Sequence, residues 1–284
     1  MVRIQPCALV LSFFLKSWEN KGRLAQLVER ILDVYEATGS SPVPPTMEFN
    51  IIYQDPNLLV IDKPAGLVVF SEGQVKENTL IDYLLEKFPD LKNVGQTPRY
   101  GIIHRLDKDT SGILLIAKNN KALSFFQNQF KEGRVSKKYL ALVVGNLKDR
   151  EGTIETLIGR SPKDRRKQKI YLPQEPESDK KRKAITEYKV LQKFKDYDLI
   201  EITPKTGRKH QIRAHLAYLG YPIAGDKLYG FKRQILPKDL SRQFLHATCL
   251  KIELPNGEIK EFHSDMPQDL KNVLKNLNFY EHEN

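Results

Sequence analysis

Cysteine is almost absent from this chain, with only Cys7 and Cys249 among 284 residues. Two thiols cannot build a disulfide framework, and they lack the paired spacing of a zinc site. A reducing, cytoplasmic setting is therefore expected. Long apolar runs are also missing: ALVLSFF at 8–14 is too short to cross a bilayer, and no small-residue cleavage pattern follows it. A secretory signal and a membrane partner are accordingly not expected. There is no internal repeat, and the regular strand–helix alternation of a parallel sheet is missing. Acidic excess is lacking as well. The chain holds 46 Lys and Arg against 35 Asp and Glu, a net charge of +11 with pI near 9.4. Clustered cations neutralise phosphates and release counterions, so the charge leans toward a polyanion, a lean shared by many basic proteins that bind none.

That charge is unevenly spread. Residues 1–46 carry five basic and four acidic side chains and end in GSSPVPPT, a linker composition. The segment GRLAQLVERILDVYEATGSSPVPPT resembles the conceptual translation of a reading frame running through a transfer-RNA gene, which would make Met47 the true start. The competing reading is an amphipathic helix with Leu24, Leu27, Val28 and Ile31 on one stripe. The expected organisation is a non-native or disordered extension over 1–46 and one catalytic domain over 47–284.

From residue 47 onward, short strands mix with a few helices. NLLVIDKPAGLVVF at 57–70 reads as two strands about a Lys-Pro-Ala-Gly turn. Helices are expected at 79–89, at 119–133 with Asn119 or Asn120 as cap, at 208–220, and finally at 269–277. Strands are expected at 137–147, as a pair at 184–194 and 197–204, and as a hairpin around Pro255-Asn256-Gly257. Residues 160–183 hold ten basic and four acidic side chains with three prolines and little periodicity, so a long loop able to grip phosphates is expected. Together these imply an α+β fold with a mixed, largely antiparallel sheet, flanking helices and a cleft across the sheet.

The densest chemistry lies in HRLDKDTSGILLIAK at 104–118, where five ionisable residues precede an apolar run. Metal catalysis is not expected: His210 and His215 stand about 140° apart round a helix, and no HExxH or Cys pair is present. Asp109-Thr110-Ser111-Gly112 matches an aspartic protease only superficially. The alternative is a single carboxylate, Asp107, held ionised by His104, Arg105 and Lys108 and acting as nucleophile or base. Local sequence balances this evenly against a strand-end ion pair with an Asx turn at Asp109.

Four ordered segments then carry a resemblance. HRLDKDTSG is similar to the active-site signature of the RluA family of pseudouridine synthases. LLVIDKPAGLVV at 58–69 resembles its first motif, KKYLALVVG at 137–145 its tyrosine-bearing strand, and TGRKHQIRAHLAYLGYPIAGDKLYG at 206–230 its third motif. The resemblance implies isomerisation of uridine to pseudouridine in structured ribosomal or transfer RNA, without cofactor or metal. It implies Asp107 as the catalytic aspartate, Tyr139 stacking on the target base, and Arg208 paired with Asp107. Arg105 would fill the space left by the flipped base, and His104, Lys63 and Arg213 are further substrate contacts, although Asp62 and Lys63 also read as a turn supporting the cleft. No S4 domain is seen, a monomer without an obligate protein partner fits the family, and no chemistry falls to His210 or His215. The rivals are a catalytically silent RNA-binding module of the same fold and a glycoside hydrolase, which usually needs two carboxylates.

Overall fold

The apolar run after Asn57 becomes a strand, but its partner is not the second run of the same segment. The computed structural model describes residues 50–71, 78–175, 178–234 and 236–278; the amino-terminal extension lies outside them. Strand β1 (Asn50–Gln54) pairs antiparallel with β2 (Leu58–Lys63), which pairs antiparallel with β3 (Ser111–Ala117). The expected second strand of a hairpin or bent pair about residues 63–66 does not form. The Lys63 ammonium takes the carbonyls of Pro64 and Leu67, and the first N–H groups of the next helix take those of Val68 and Val69. Those carbonyls are satisfied without a ladder. Leu67, Val69 and Phe70 are buried as irregular chain.

Helix α1 (Leu80–Lys87) starts as expected, with Asp82 accepting from the Thr79 N–H at 2.7 Å. Helix α2 (Asn120–Lys131) is capped by Asn119, whose side chain accepts from the Ala122 N–H at 2.9 Å. It packs on β3, every residue of which is buried. Next come β4 (Ser136–Val144), β5 (Glu151–Arg160), β6 (Gln168–Tyr171), β7 (Arg182–Lys193), β8 (Tyr197–Pro204), β9 (Leu245–Glu253) and β10 (Ile259–His263). The basic stretch at 160–183 is thus not wholly loop. Its β6 folds back on β5, and it is only four residues long, too short for a period to show.

The ten strands form one sheet in the order β1-β2-β3-β9-β4-β8-β7-β5-β6, with β10 paired to β9. All pairings are antiparallel except a short parallel seam, Ser111 with His246 and Gly112 with Ala247, where β3 meets β9. The α+β architecture with a largely antiparallel sheet is therefore as expected. Helices α3 (Gln211–Tyr218) and α4 (Gln268–Lys275) place Ile212, Leu216, Leu270 and Val273 in one core with Leu142, Ile200 and Ile202. His215 is fully buried and bonds Thr156 of β5 and Thr186 of β7 at 2.9 and 2.8 Å, which pins α3 to the sheet. Among the described residues, no helix is long and apolar enough to cross a membrane.

Candidate active site

The site is built at the seam. Ahead of β3 the chain makes a tight turn, closed by the Thr110 N–H donating to the Asp107 carbonyl at 3.1 Å. Four groups from distant segments fasten this turn. The Lys63 ammonium and the Gly66 N–H bond the Lys108 carbonyl at 3.0 and 2.9 Å. Arg242 bonds the Asp109 carbonyl at 3.1 Å and the Ser111 hydroxyl at 3.2 Å, and Gln243 donates to the Thr110 hydroxyl at 2.8 Å. Gly112 closes the seam. Its φ is +113°, and a Cβ there would collide with the Ala247 backbone.

The turn delivers Asp107 into a cleft of about 770 Å³, within the size range of ligand sites. One carboxylate oxygen, Oδ2, accepts from Arg213 Nη1 at 2.8 Å; the other, Oδ1, lies 3.8 Å from His210 Nε2. Arg213 sits at the start of α3. Its Nε and Nη2 clasp Asp226 at 2.7 and 2.9 Å, and Asp226 also accepts the N–H groups of Leu228 and Tyr229 at 2.9 Å each. Burial works against the charge on Arg213, but the bonds and charges of Asp226 and Asp107 outweigh it and raise its pKa. Burial pushes the Asp226 pKa up, yet its guanidinium and amide partners hold it below the ordinary value. The chain Asp107–Arg213–Asp226 is therefore a fixed carboxylate–guanidinium–carboxylate array.

Tyr139 forms a wall beside Asp107. On β9 two residues, Ala247 and Cys249, pair with the consecutive Tyr139 and Lys138 of β4, which leaves Thr248 as a bulge. Such bulges bend a strand and re-aim neighbouring side chains. Burial, followed by the Asp107 charge, raises the Tyr139 pKa, so the phenol keeps its proton at neutral pH. Burial also lowers the His210 pKa despite the pull of Asp107. His210 has a left-handed backbone, φ +53°, and bonds Tyr229 at 3.2 Å.

The expected site residues converge in part. Asp107, Tyr139, Arg105, His104, Arg208 and Arg213 all line the cleft. Arg208, however, does not pair with Asp107. Because His210 is left-handed, α3 begins at Gln211 rather than at residue 208, and Arg208 stays in the preceding turn with Nε on the Lys183 carbonyl at 3.1 Å. Arg213, expected only as a substrate contact, holds the carboxylate instead. Lys63 is not a substrate contact either: it is fully buried, and its three donors are spent on the carbonyls of Pro64, Leu67 and Lys108. Burial lowers its pKa to about 7. His104 stacks on Phe130 at 4.8 Å and accepts from the Leu115 N–H at 3.2 Å; burial, then Lys137, lowers its pKa to about 3, so it is a neutral wall residue. Arg105 is exposed, its guanidinium 5.0 Å above the Phe70 ring. Asp226, Tyr229, Arg242 and Gln243 were not singled out in the sequence, although Asp226 and Tyr229 lie inside the third motif.

One carboxylate set among guanidinium and ammonium groups, beside a protonated phenol, suits chemistry on a ribose carried by a polyanion. Residues 57–218, more than half of the chain, match the RNA pseudouridylate synthase family. The chain is 38% identical over 232 residues to the uncharacterized RNA pseudouridine synthase YlyB of Bacillus subtilis, covering 81% of this chain and 73% of the relative. It is 38% identical over 236 residues to ribosomal large subunit pseudouridine synthase D of Borreliella burgdorferi, covering 82% and 70%. The solved structure of human RNA pseudouridylate synthase domain containing 1 matches with a TM-score of 0.66 and 28% identity, covering 85% of this chain and 92% of that one. The chain belongs to the RNA pseudouridylate synthase family, in its RluA branch, and is an isomerase acting on RNA.

Proposed function

We propose that the substrate is a uridine in a folded segment of large-subunit ribosomal RNA and that Asp107 performs the chemistry at its ribose. The observation that carries this reading is the Asp107 carboxylate, held at 2.8 Å by Arg213 in a cleft it shares with Tyr139. The printed names of relatives such as that of Borreliella burgdorferi support the ribosomal substrate; a transfer-RNA stem-loop is the other class. The uridine leaves its stack, at a cost of a few kcal/mol, and the exposed guanidinium of Arg105 takes the vacated place. Uracil lies against Tyr139. Asp107, as nucleophile or base at the ribose, promotes cleavage of the N1–C1′ bond. The base turns, C5 bonds to C1′, and the C5 hydrogen is lost as N1 gains one. Arg213 keeps the carboxylate charged and aimed, while Lys137, Lys205, Arg208 and Lys209 on the cleft wall meet phosphates.

The isomerisation balances without a cofactor or metal. In this reading the catalytic domain is 47–284, working as a cytoplasmic monomer. A silent RNA-binding module is disfavoured because phosphate binding has no use for a carboxylate so carefully held. Mapping pseudouridines in a strain lacking the gene against its parent tests the assignment. Loss of a site in large-subunit ribosomal RNA supports it, and loss confined to transfer RNA overturns it.

A further inference from the structure

Away from the cleft, Cys249, Glu261 and His263 meet on the opposite face of the sheet. Alternation along β4 sends Lys137 and Tyr139 into the cleft and Lys138 to the other side. Cys249 is the register partner of Lys138, and His263 is the partner of Cys249 on β10. Glu261, two residues before His263, shares that face. Its Oε1 stands 3.3 Å from Cys249 Sγ and 3.1 Å from His263 Nε2, and the three donor atoms all lie within 4.8 Å of one another. Around a tetrahedral zinc ion, with bonds of about 2.3 Å to sulfur and about 2.0–2.2 Å to nitrogen and oxygen, donor atoms stand roughly 3.2–3.6 Å apart. Two of the three separations are thus close to that spacing.

We propose that the β9–β10 hairpin carries a binding site for a zinc-class divalent cation, with Cys249, Glu261 and His263 as ligands and water in the fourth position. Thiolate with imidazole and carboxylate selects zinc over magnesium or calcium, which take all-oxygen shells. Binding replaces the thiol proton, and the two anionic ligands then balance the charge of the ion. Lys138, the register partner of Cys249 on β4, is held by both oxygens of Glu201 at 3.1 Å rather than by Glu261. Lys251 faces Glu261 in the ladder. The His263 and Glu261 side chains are 68% and 44% exposed, so entry is open. A bound ion would add a cross-link between the two strands of this hairpin.

Titration of the chelator-treated full-length protein with cobalt(II), a coloured zinc surrogate, tests the site. One ion per chain is expected, with a thiolate-to-cobalt charge-transfer absorption that zinc abolishes by displacement. C249S should lose the absorption, H263A and E261Q should weaken binding by about tenfold or more, and C7S should behave as the parent. Pseudouridine formation by each variant, expected at the parental rate, shows that it is folded. A parent without the thiolate absorption, or an absorption that survives in C249S, overturns the proposal.

Discussion

Arg213 divides its guanidinium between two carboxylates, donating from Nη1 to Asp107 and from Nε and Nη2 to Asp226. The two roles differ. Asp107 opens to the cleft and is a fifth exposed, whereas the Asp226 side chain is fully buried. Asp226 thus acts through Arg213, fixing the plane of the guanidinium and hence the place of the Asp107 carboxylate.

Replacing Asp226 separates folding from positioning. D226A leaves a buried guanidinium half-paired and is expected to cost about 3–5 kcal/mol in urea unfolding. D226N keeps the shape and one acceptor, so it should stay folded while kcat falls about tenfold to a hundredfold through misaim of Arg213. The KM for RNA should barely move. Parental kcat in D226N would contradict the positioning role.

Arg213 and Arg208 should separate in kinetics. R213K loses the planar fork that spans two carboxylates, and kcat is expected to fall about a hundredfold or more. R208A removes a cleft-wall cation, so KM for RNA should rise several-fold with kcat nearly unchanged. Equal loss of kcat in both would restore Arg208 as the partner of Asp107.

The exchange of these two arginines marks where sequence reading stops. Both lie in one motif five residues apart, and which of them reaches Asp107 depends on where α3 begins. That start is set by the left-handed turn at His210, which no periodicity announces. Asp226 follows Gly225 and reads as a turn residue. Its burial arises only when α3 and the loop close over it. Lys63 misleads for a related reason: an ammonium reads as solvent-facing, yet three carbonyls surround it. Asp107 and Tyr139 are reached through the four ordered motifs, since local sequence alone leaves Asp107 balanced against an ion pair, whereas the cap at Asn119 is legible because its signal is local. Strand β5 was legible in principle, since Ile154, Thr156 and Ile158 alternate inward, but acidic and glycine neighbours mask the alternation.

Acid should loosen the fold through His215. Burial lowers its pKa from 6.5 to about 4. Between those values the unfolded chain binds a proton that the folded chain refuses, so stability falls as pH drops through this window, by up to about 3 kcal/mol. His104, lowered to about 3, acts in the same direction. H215Q should flatten the decline in urea midpoint between about pH 6.5 and pH 4, and unchanged slopes would contradict the assignment.

The central claim is that Asp107 is the essential group of an RNA pseudouridine synthase. Its most direct test is tritium release from RNA labelled at uridine C5, measured for the parent and for D107N together with RNA binding by each. The account predicts time-dependent release by the parent, none above background by D107N, and similar RNA affinity for both. Substantial release by D107N, or free uracil without pseudouridine from the parent, would contradict it.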